Sequence, residues 1–306
     1  MNDKRTSRRT FIKASATLAA GAATASSSAA QAAQHAATPT ATDQVPLGKT
    51  GVRICRLGMG TGSQGGAVQR ELGAAGFERL VRYAYDQGIR YIDTADMYQT
   101  HTMIRQAIRG LPREELFIQT KMRWDHPDIP KKPLEVIDRF RRELGTDYID
   151  SLLIHCARQD NWDDALKRML DAFAEAQEKK IIRVKGVSCH GLAPLRCATG
   201  VDWVDVHLVR INPQGRHVDG KAGQWKEPGD VPAVLREIGA MHAKGRGVIG
   251  MKMIGNGDFK DPEDREKAIR FAMQCDAVDA VVIGFATPAE IDEALARMNR
   301  ALRERG

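Results

Sequence analysis

The chain of 306 residues is 42% hydrophobic, 28% charged and 6% aromatic. That balance supports a sizeable core and excludes a disordered chain, a collagen-like chain and a small disulfide scaffold, while the lack of any run of 18 purely apolar residues excludes an ordinary transmembrane span. The formal net charge of +7 falls to +3 once the five basic residues and one acidic residue among the first 32 are set aside, which leaves no stripe suited to nucleic acid.

Those first residues read as a leader. Ser7-Arg8-Arg9-Thr10-Phe11-Ile12-Lys13 precedes an Ala-rich run that ends in Ala30-Gln31-Ala32, a small-residue cleavage site. The string resembles a twin-arginine (Tat) signal, an address read by the Tat export machinery. It implies a periplasmic protein exported already folded. Residues 1–32 are expected to be the cleaved signal, with Ala30 an alternative cleavage point, 33–44 a flexible lead-in, and 45–306 the folded domain. The five cysteines (Cys55, Cys156, Cys189, Cys197, Cys275) are odd in number and contain no CxxC pair. They suggest neither a metal site nor a disulfide framework, and most should be small buried thiols.

From residue 45 the pattern becomes regular. A short hairpin begins near Val45, turns at Gly48-Lys49-Thr50-Gly51 and closes over Val52–Cys55. Eight strand-like runs follow, at Arg56–Gly60, Ile89–Ala95, Leu116–Lys121, Ile149–His155, Arg183–Cys189, Val204–Asn212, Val248–Ile254 and Ala280–Phe285. Most are followed by helical periodicity: Phe77, Leu80, Val81 and Ala84 recur at i, i+3, i+4 and i+7, as do Leu166, Met169, Leu170 and Phe173. Further helices are predicted over Val231–Lys244, Pro262–Cys275 and Pro288–Arg300. The strands are continuous apolar runs, as strands buried on both faces require. Eight βα units predict a closed (β/α)8 TIM barrel. The rival, an open doubly wound sheet, lacks its fingerprint, because Gly58-Met59-Gly60-Thr61-Gly62 does not have the G-x-G-x-x-G spacing.

Reactive groups of such a barrel belong at the C-terminal ends of the strands. Asp93 closes Arg90-Tyr91-Ile92-Asp93, with Tyr98 in the loop beyond; Lys121 closes Phe117-Ile118-Gln119-Thr120-Lys121; His155 closes Leu152-Leu153-Ile154-His155. Singly each has a bland explanation, but together they occupy equivalent ends of three consecutive strands.

Here the chain resembles the aldo-keto reductase family, on Pro46-Leu47-Gly48-Lys49-Thr50-Gly51, Leu57-Gly58-Met59-Gly60, Asp93-Thr94-Ala95-Asp96-Met97-Tyr98, Thr120-Lys121 and Leu153-Ile154-His155. The resemblance spans roughly residues 45–300. It implies hydride transfer between NAD or NADP and a small carbonyl or alcohol substrate, with Tyr98 as general acid/base and Lys121, Asp93 and His155 completing the tetrad. The chemistry suits these residue types. A free phenol has a pKa near 10, and an adjacent Lys121 ammonium is expected to lower it toward neutrality. Asp93 keeps Lys121 charged, and His155 orients the substrate oxygen.

The resemblance also implies a dinucleotide cleft lined by Gly60, Thr61, Gly62, Asp93, Ser188, Cys189, Leu208, Met251, Lys252, Met253, Gly255, Gly284, Phe285 and Glu290. Several of these depart from the family pattern. Cys189-His190 follows Ser188 where the family has Asn, Leu208 or His207 replaces a Gln, and Met251-Lys252-Met253-Ile254-Gly255 stands where an aromatic platform and a Ser-Pro-Leu-Gly turn are usual. Glu290 would repel a 2′-phosphate, which favours NAD, or it simply serves the start of its helix. Lys252 and the Gly255-Asn256-Gly257 turn are candidates to clamp the pyrophosphate. A folded export route suggests that the cofactor is held tightly.

Trp124 is a candidate apolar wall for the substrate. The Gly-rich loop Asn212–Trp225, with Arg216, His217 and Lys221, is either a lid favouring an acidic or polyhydroxylated substrate or a solvated basic loop. Gly186-Val187-Ser188-Cys189-His190 misses the nucleophile-elbow motif at its fifth position. The departures keep open a second function, a dinucleotide-binding module without catalysis.

Overall fold

The computed structural model of the protein describes residues 38–125 and 131–305. The leader, its cleavage sites and the start of the lead-in lie outside the described residues.

Strands β1 (Gln44–Pro46) and β2 (Arg53–Cys55) pair antiparallel. Eight strands follow: β3 (Leu57–Gly60), β4 (Tyr91–Asp93), β5 (Phe117–Arg123), β6 (Ile149–Ala157), β7 (Ile182–Cys189), β8 (Val206–Arg210), β9 (Gly247–Met251) and β10 (Ala280–Gly284). They form a closed barrel in chain order, with β10 pairing back onto β3, and every pairing is parallel. This is the (β/α)8 barrel with its N-terminal hairpin.

Successive strand side chains point to opposite faces, so each strand feeds two cores. Tyr91, Phe117, Leu153, Val184, Val206 and Ile249 fill the barrel with Leu47 and Ile54 of the hairpin. Ile92, Ile118, Leu152, Val187 and Val248 face outward and pack against the helices. The hairpin therefore plugs the lower end of the barrel. Its turn depends on Gly48, whose φ is +52° and whose backbone lies so close to Gly245–Gly247 that a Cβ would stand 2.5 Å from the carbonyl carbon of Arg246.

The helices bury the stripes their periodicity marks. Gly73–Asp86 covers Phe77, Leu80, Val81 and Ala84, and Lys167–Glu178 covers Met169, Leu170 and Phe173. Three helices start with a capping side chain and Pro in the first turn. Asp230 accepts from Ala233 N, Asp261 from Glu263 N and Thr287 from Glu290 N.

Two expectations need correction. The lead-in is anchored from residue 40 onward rather than flexible. Thr40 N and Oγ1 donate to Asp43, Ala41 N donates to Asn299 Oδ1 at 2.8 Å, and Leu57 N donates to Ala41 O. Only Cys55 and Cys189 are fully buried, while Cys156, Cys197 and Cys275 are half-buried; all five are free thiols. Among the described residues no helix is long and apolar enough to cross a membrane.

Candidate active site

The parity of the strands determines which side chains reach the upper mouth of the barrel. Tyr91 and Asp93 on β4, Phe117, Gln119 and Lys121 on β5, and Ser151, Leu153 and His155 on β6 alternate into the interior. Their polar members form one ladder. Ser151 Oγ donates to Gln119 Oε1 at 2.9 Å, and Gln119 Nε2 donates to Asp93 Oδ1 at 2.8 Å and Tyr91 Oη at 2.9 Å. Lys121 Nζ donates to Asp93 Oδ1 and Oδ2 at 2.7 and 2.8 Å, and to Thr94 O at 2.8 Å. With all three protons of the ammonium bonded, a Lys121 that is 1% exposed can be buried as an ion. Gln119 and Ser151 are positioning residues that the sequence reading did not single out. Their signal is a polar residue at every second place of an apolar strand.

Tyr98 closes a 3-10 turn, Asp96–Tyr98, which Arg139 holds through a bidentate pair to Asp96 at 2.9 Å. The phenol ring rests on the backbone at Gly62, where a Cβ would lie 2.5 Å from two ring carbons. Tyr98 Oη stands 3.4 Å from His155 Nε2, the two rings meet edge to face, and Lys121 Nζ is 5.1 Å from the tyrosine ring centroid. Asp93, Tyr98, Lys121 and His155 are thus gathered at one point.

The electrostatics differ from expectation. Burial, then the Asp93 carboxylate, hold the Tyr98 phenol well above its usual value of 10. Lys121 does not lower it, because its ammonium is committed to the carboxylate that faces the phenol. Burial, reinforced by Lys121 and other nearby cations, keeps His155 well below 6.5, so the imidazole is neutral at neutral pH. Its Nδ1 is buried with no hydrogen-bond partner among the described residues.

A cavity of 530 Å³ runs from Asp93 and Tyr98 across the loops after β9 and β10. Gly60, Gly62, Met251, Lys252, Met253, Gly284, Phe285 and Glu290 all line it. Lys252 has φ +60°, and its Nζ donates to Asn256 Oδ1 at 2.8 Å. Burial pulls the Lys252 ammonium down to about 8. Gly255 is buried beneath this wall, and its neighbours Ile254, Asn256 and Gly257 carry the surface. Glu290 serves its helix as well as the cavity. Its Oε2 accepts from Ala286 N at 2.7 Å while Thr287 Oγ1 accepts from Glu290 N, a reciprocal cap. Glu293, Lys260 and Arg265, absent from the sequence reading, line the same end.

Other candidates fall elsewhere. Thr61 is fully buried and donates to Asp93 O at 3.1 Å, with Thr100 Oγ1 2.9 Å away; it ties strand ends together and does not face the cavity. Cys189 points to the outer core, where its thiol donates to Pro194 O, so it cannot take the place of an asparagine toward a cofactor. Strand parity is the reason: Ser188 shares its register and face with Leu208 inside the barrel, and its neighbour must face out. Ser188 and Leu208 are almost fully buried below the mouth. Trp124 does not wall the cavity; it braces the end of β6 by donating from Nε1 to Cys156 O at 3.1 Å. That end carries a bulge between Ile154 and Ala157, with Cys156 at φ +58°. Arg216 and His217 are not free to meet a substrate, because both bond Asp258 Oδ2, at 2.7 and 2.9 Å.

A closed parallel barrel carrying a Tyr–Lys–Asp–His cluster at the C-terminal ends of its strands defines the class of barrel proteins whose chemistry sits on that rim. The model of the Aldo/keto reductase family matches residues 56–267, and the chain belongs to that family. Among curated relatives, 9,11-endoperoxide prostaglandin H2 reductase of Trypanosoma cruzi is 36% identical over 139 residues, 45% of each protein. An aldo-keto reductase of Mycolicibacterium smegmatis is 37% identical over 157 residues, 48% of this chain and 55% of that one. The chain spans about half the length of the curated relatives it matches. Among solved structures, the holo form of aldo-keto reductase AKR11C1 from Bacillus halodurans superposes with a TM-score of 0.66 at 17% identity, over 86% of this chain and 96% of that one, a likeness of fold.

Proposed function

We propose that the protein interconverts a small carbonyl compound and an alcohol by hydride transfer, with NAD or NADP as the carrier. The gathering of Asp93, Tyr98, Lys121 and His155 at one end of the 530 Å³ cavity is the observation that carries this reading. The residues present suit a dinucleotide. The cavity has ligand size, a partly buried ammonium, Lys252, lies along it, and the turn at Gly255–Gly257 brings backbone to its wall. Bound there, the reduced nicotinamide supplies the hydride.

The chain's own residues then manage position and the proton. Tyr98 remains a phenol at neutral pH and gives its Oη proton to the carbonyl oxygen as that oxygen gains charge. His155, neutral, hydrogen-bonds the same oxygen. The phenolate left behind, disfavoured by burial and by the Asp93 carboxylate, regains its proton from water. In the reverse direction the phenolate must form first, so a raised phenol pKa favours reduction over oxidation near neutrality. Glu290 and Glu293 oppose a 2′-phosphate and favour NAD; Arg265 is already bonded to Glu293 and to two backbone carbonyls, and Lys260 is the countervailing charge.

Assaying the purified chain with NADH and NADPH against a panel of small aldehydes tests the reading, with turnover as the expected result. The outward Cys189 and apolar Leu208 support the alternative, a dinucleotide-binding module without catalysis. Dinucleotide binding with no turnover of any aldehyde would establish that alternative.

We further propose export to the periplasm as a folded, cofactor-loaded protein, on the strength of Ser7–Lys13 and the Ala-rich run. Replacing Arg8 and Arg9 by Lys should abolish the periplasmic yield, and an unchanged yield refutes the proposal. A dissociation constant of about a millimolar for both dinucleotides, roughly −4 kcal/mol, would refute tight retention.

A further inference from the structure

A second cavity, of 360 Å³, lies over the loops after β6, β7 and β8. It adjoins the first. Lys252 of the first cavity sits with Nζ 5.3 Å from the ring centroid of Trp225, which lines the second. On the side of the catalytic cluster, His190 lines the cavity and its Nε2 is 3.4 Å from Sγ of Cys156, the residue after His155.

The charge of this cavity is one-sided. Arg158, Arg210 and Lys221 line it, and no carboxylate does. Arg158 and Lys221 are exposed, with no hydrogen bond or ion pair among the described residues. Arg210 is 1% exposed and belongs to the barrel interior. Its Nε and Nη2 donate to Asp219 Oδ1, which also accepts from Gly191 N, while Nη1 makes no bond among the described residues. Asp219 balances Arg210 and Asp125 feels the charge of Arg158, while Lys221 has no bonded carboxylate among the described residues. The nearby Glu227 is occupied with the loop backbone, accepting from Ala222 N and Gln224 N at 3.0 Å each, and so holds Lys221 and Trp225 in place. Ala193, Pro194 and Trp225 add apolar surface. An arginine fork, a lysine and a flat apolar wall are the parts of a carboxylate subsite.

We propose that this cavity receives a carboxylate carried by the substrate, whose carbonyl reacts at Tyr98. The substrate is then a carboxylate-bearing aldehyde or ketone rather than a neutral one. The inference rests on the oxidoreductase reading, and its test separates the two.

Benzaldehyde and 4-carboxybenzaldehyde form a matched pair, assayed on the full folded chain with its dinucleotide. A KM about tenfold lower for the carboxylate, at similar kcat, is the expected result for a charge-assisted contact. Arg158→Ala and Lys221→Ala should each raise that KM with kcat nearly unchanged, and leave benzaldehyde kinetics alone. Equal KM values in the wild type, or an advantage that survives in the double variant, overturns the proposal. Titration calorimetry with 4-carboxybenzaldehyde needs no turnover. If no aldehyde of the panel reacts but the double variant loses carboxylate binding, the oxidoreductase reading fails and the anion subsite stands. Binding that the double variant leaves unaltered removes the subsite.

Discussion

The rim over β4, β5 and β6 and the rim over β7, β8 and β9 are built on different terms. In the first, the Asp93–Lys121 pair is anchored by other strand residues. Ser151 holds Gln119, Gln119 holds Asp93, Asp93 holds Lys121, and Tyr98 sits against the backbone of Gly62. In the second, the upward-facing strand residues are Ser188, Leu208 and Met251, with Arg210 the one ion, and charge is brought in by loops through Lys252, Lys221 and Arg158. A strand-borne network fixes groups that must act on a proton over a few tenths of an ångström. A loop-borne set of charges suits the recognition of anions, where long-range attraction tolerates looser placement. Under the proposed function, chemistry belongs to one half of the mouth and recognition to the other.

The sharpest way to break this division is Tyr98→Phe. It should lower kcat/KM for carbonyl reduction by about 10²–10⁴-fold while dinucleotide affinity, read by equilibrium titration, stays the same. A comparable loss of dinucleotide binding would show that the two halves are not separable. Because the phenol is held well above 10, wild-type reduction should stay level through neutral and mildly alkaline pH, and alcohol oxidation should rise as pH rises.

Lys121→Met probes the anchoring itself. It strands the buried Asp93 carboxylate, and loss of one partner from a buried pair costs about 3–5 kcal/mol, measurable by denaturant unfolding. Adding Asp93→Asn should restore part of that stability without restoring activity. Gly62→Ala is milder. The new Cβ meets the Tyr98 ring at 2.5 Å, so the ring must shift, at about 1–3 kcal/mol of overpacking. kcat should fall about tenfold with little change in dinucleotide binding.

The smallest effect is expected in the recognition half. Lys252→Met should weaken dinucleotide binding about tenfold, the value of a hydrogen bond to a charged group. Burial lowers the ammonium to about 8, so the charge is present below that pH and lost as pH rises through it. Wild-type affinity should therefore decline above about pH 8, and the Met variant should show a flat profile.

Much of this was legible in the amino-acid order. Continuous apolar runs separated by helical periodicity carry the barrel, because a strand buried on both faces has no polar side to show. Asp93, Lys121 and His155 were visible as polar residues ending such runs, and Tyr98 by its place after Asp93. Gln119 and Ser151 obey the same alternation, but a polar residue inside a strand carries no mark of whether it bonds a catalytic neighbour. Motif correspondence alone placed Cys189 at a cofactor contact, and parity turns it outward. The Arg210–Asp219 pair spans a loop, and no local pattern reports that two such residues meet.

The sequence by itself therefore determined the strand and helix periods, the closed barrel they imply and the residue types at the strand ends. These are consequences of local geometry and of which faces must avoid water. Only the tertiary structure decided the electrostatics. Lys121 could have faced the Tyr98 phenol and lowered its pKa, but in the fold its three bonds go to Asp93 and Thr94. The phenol is left buried beside a carboxylate, and its pKa rises. The direction of a pKa shift depends on distances and burial among residues far apart in the chain, and those are set when the barrel closes.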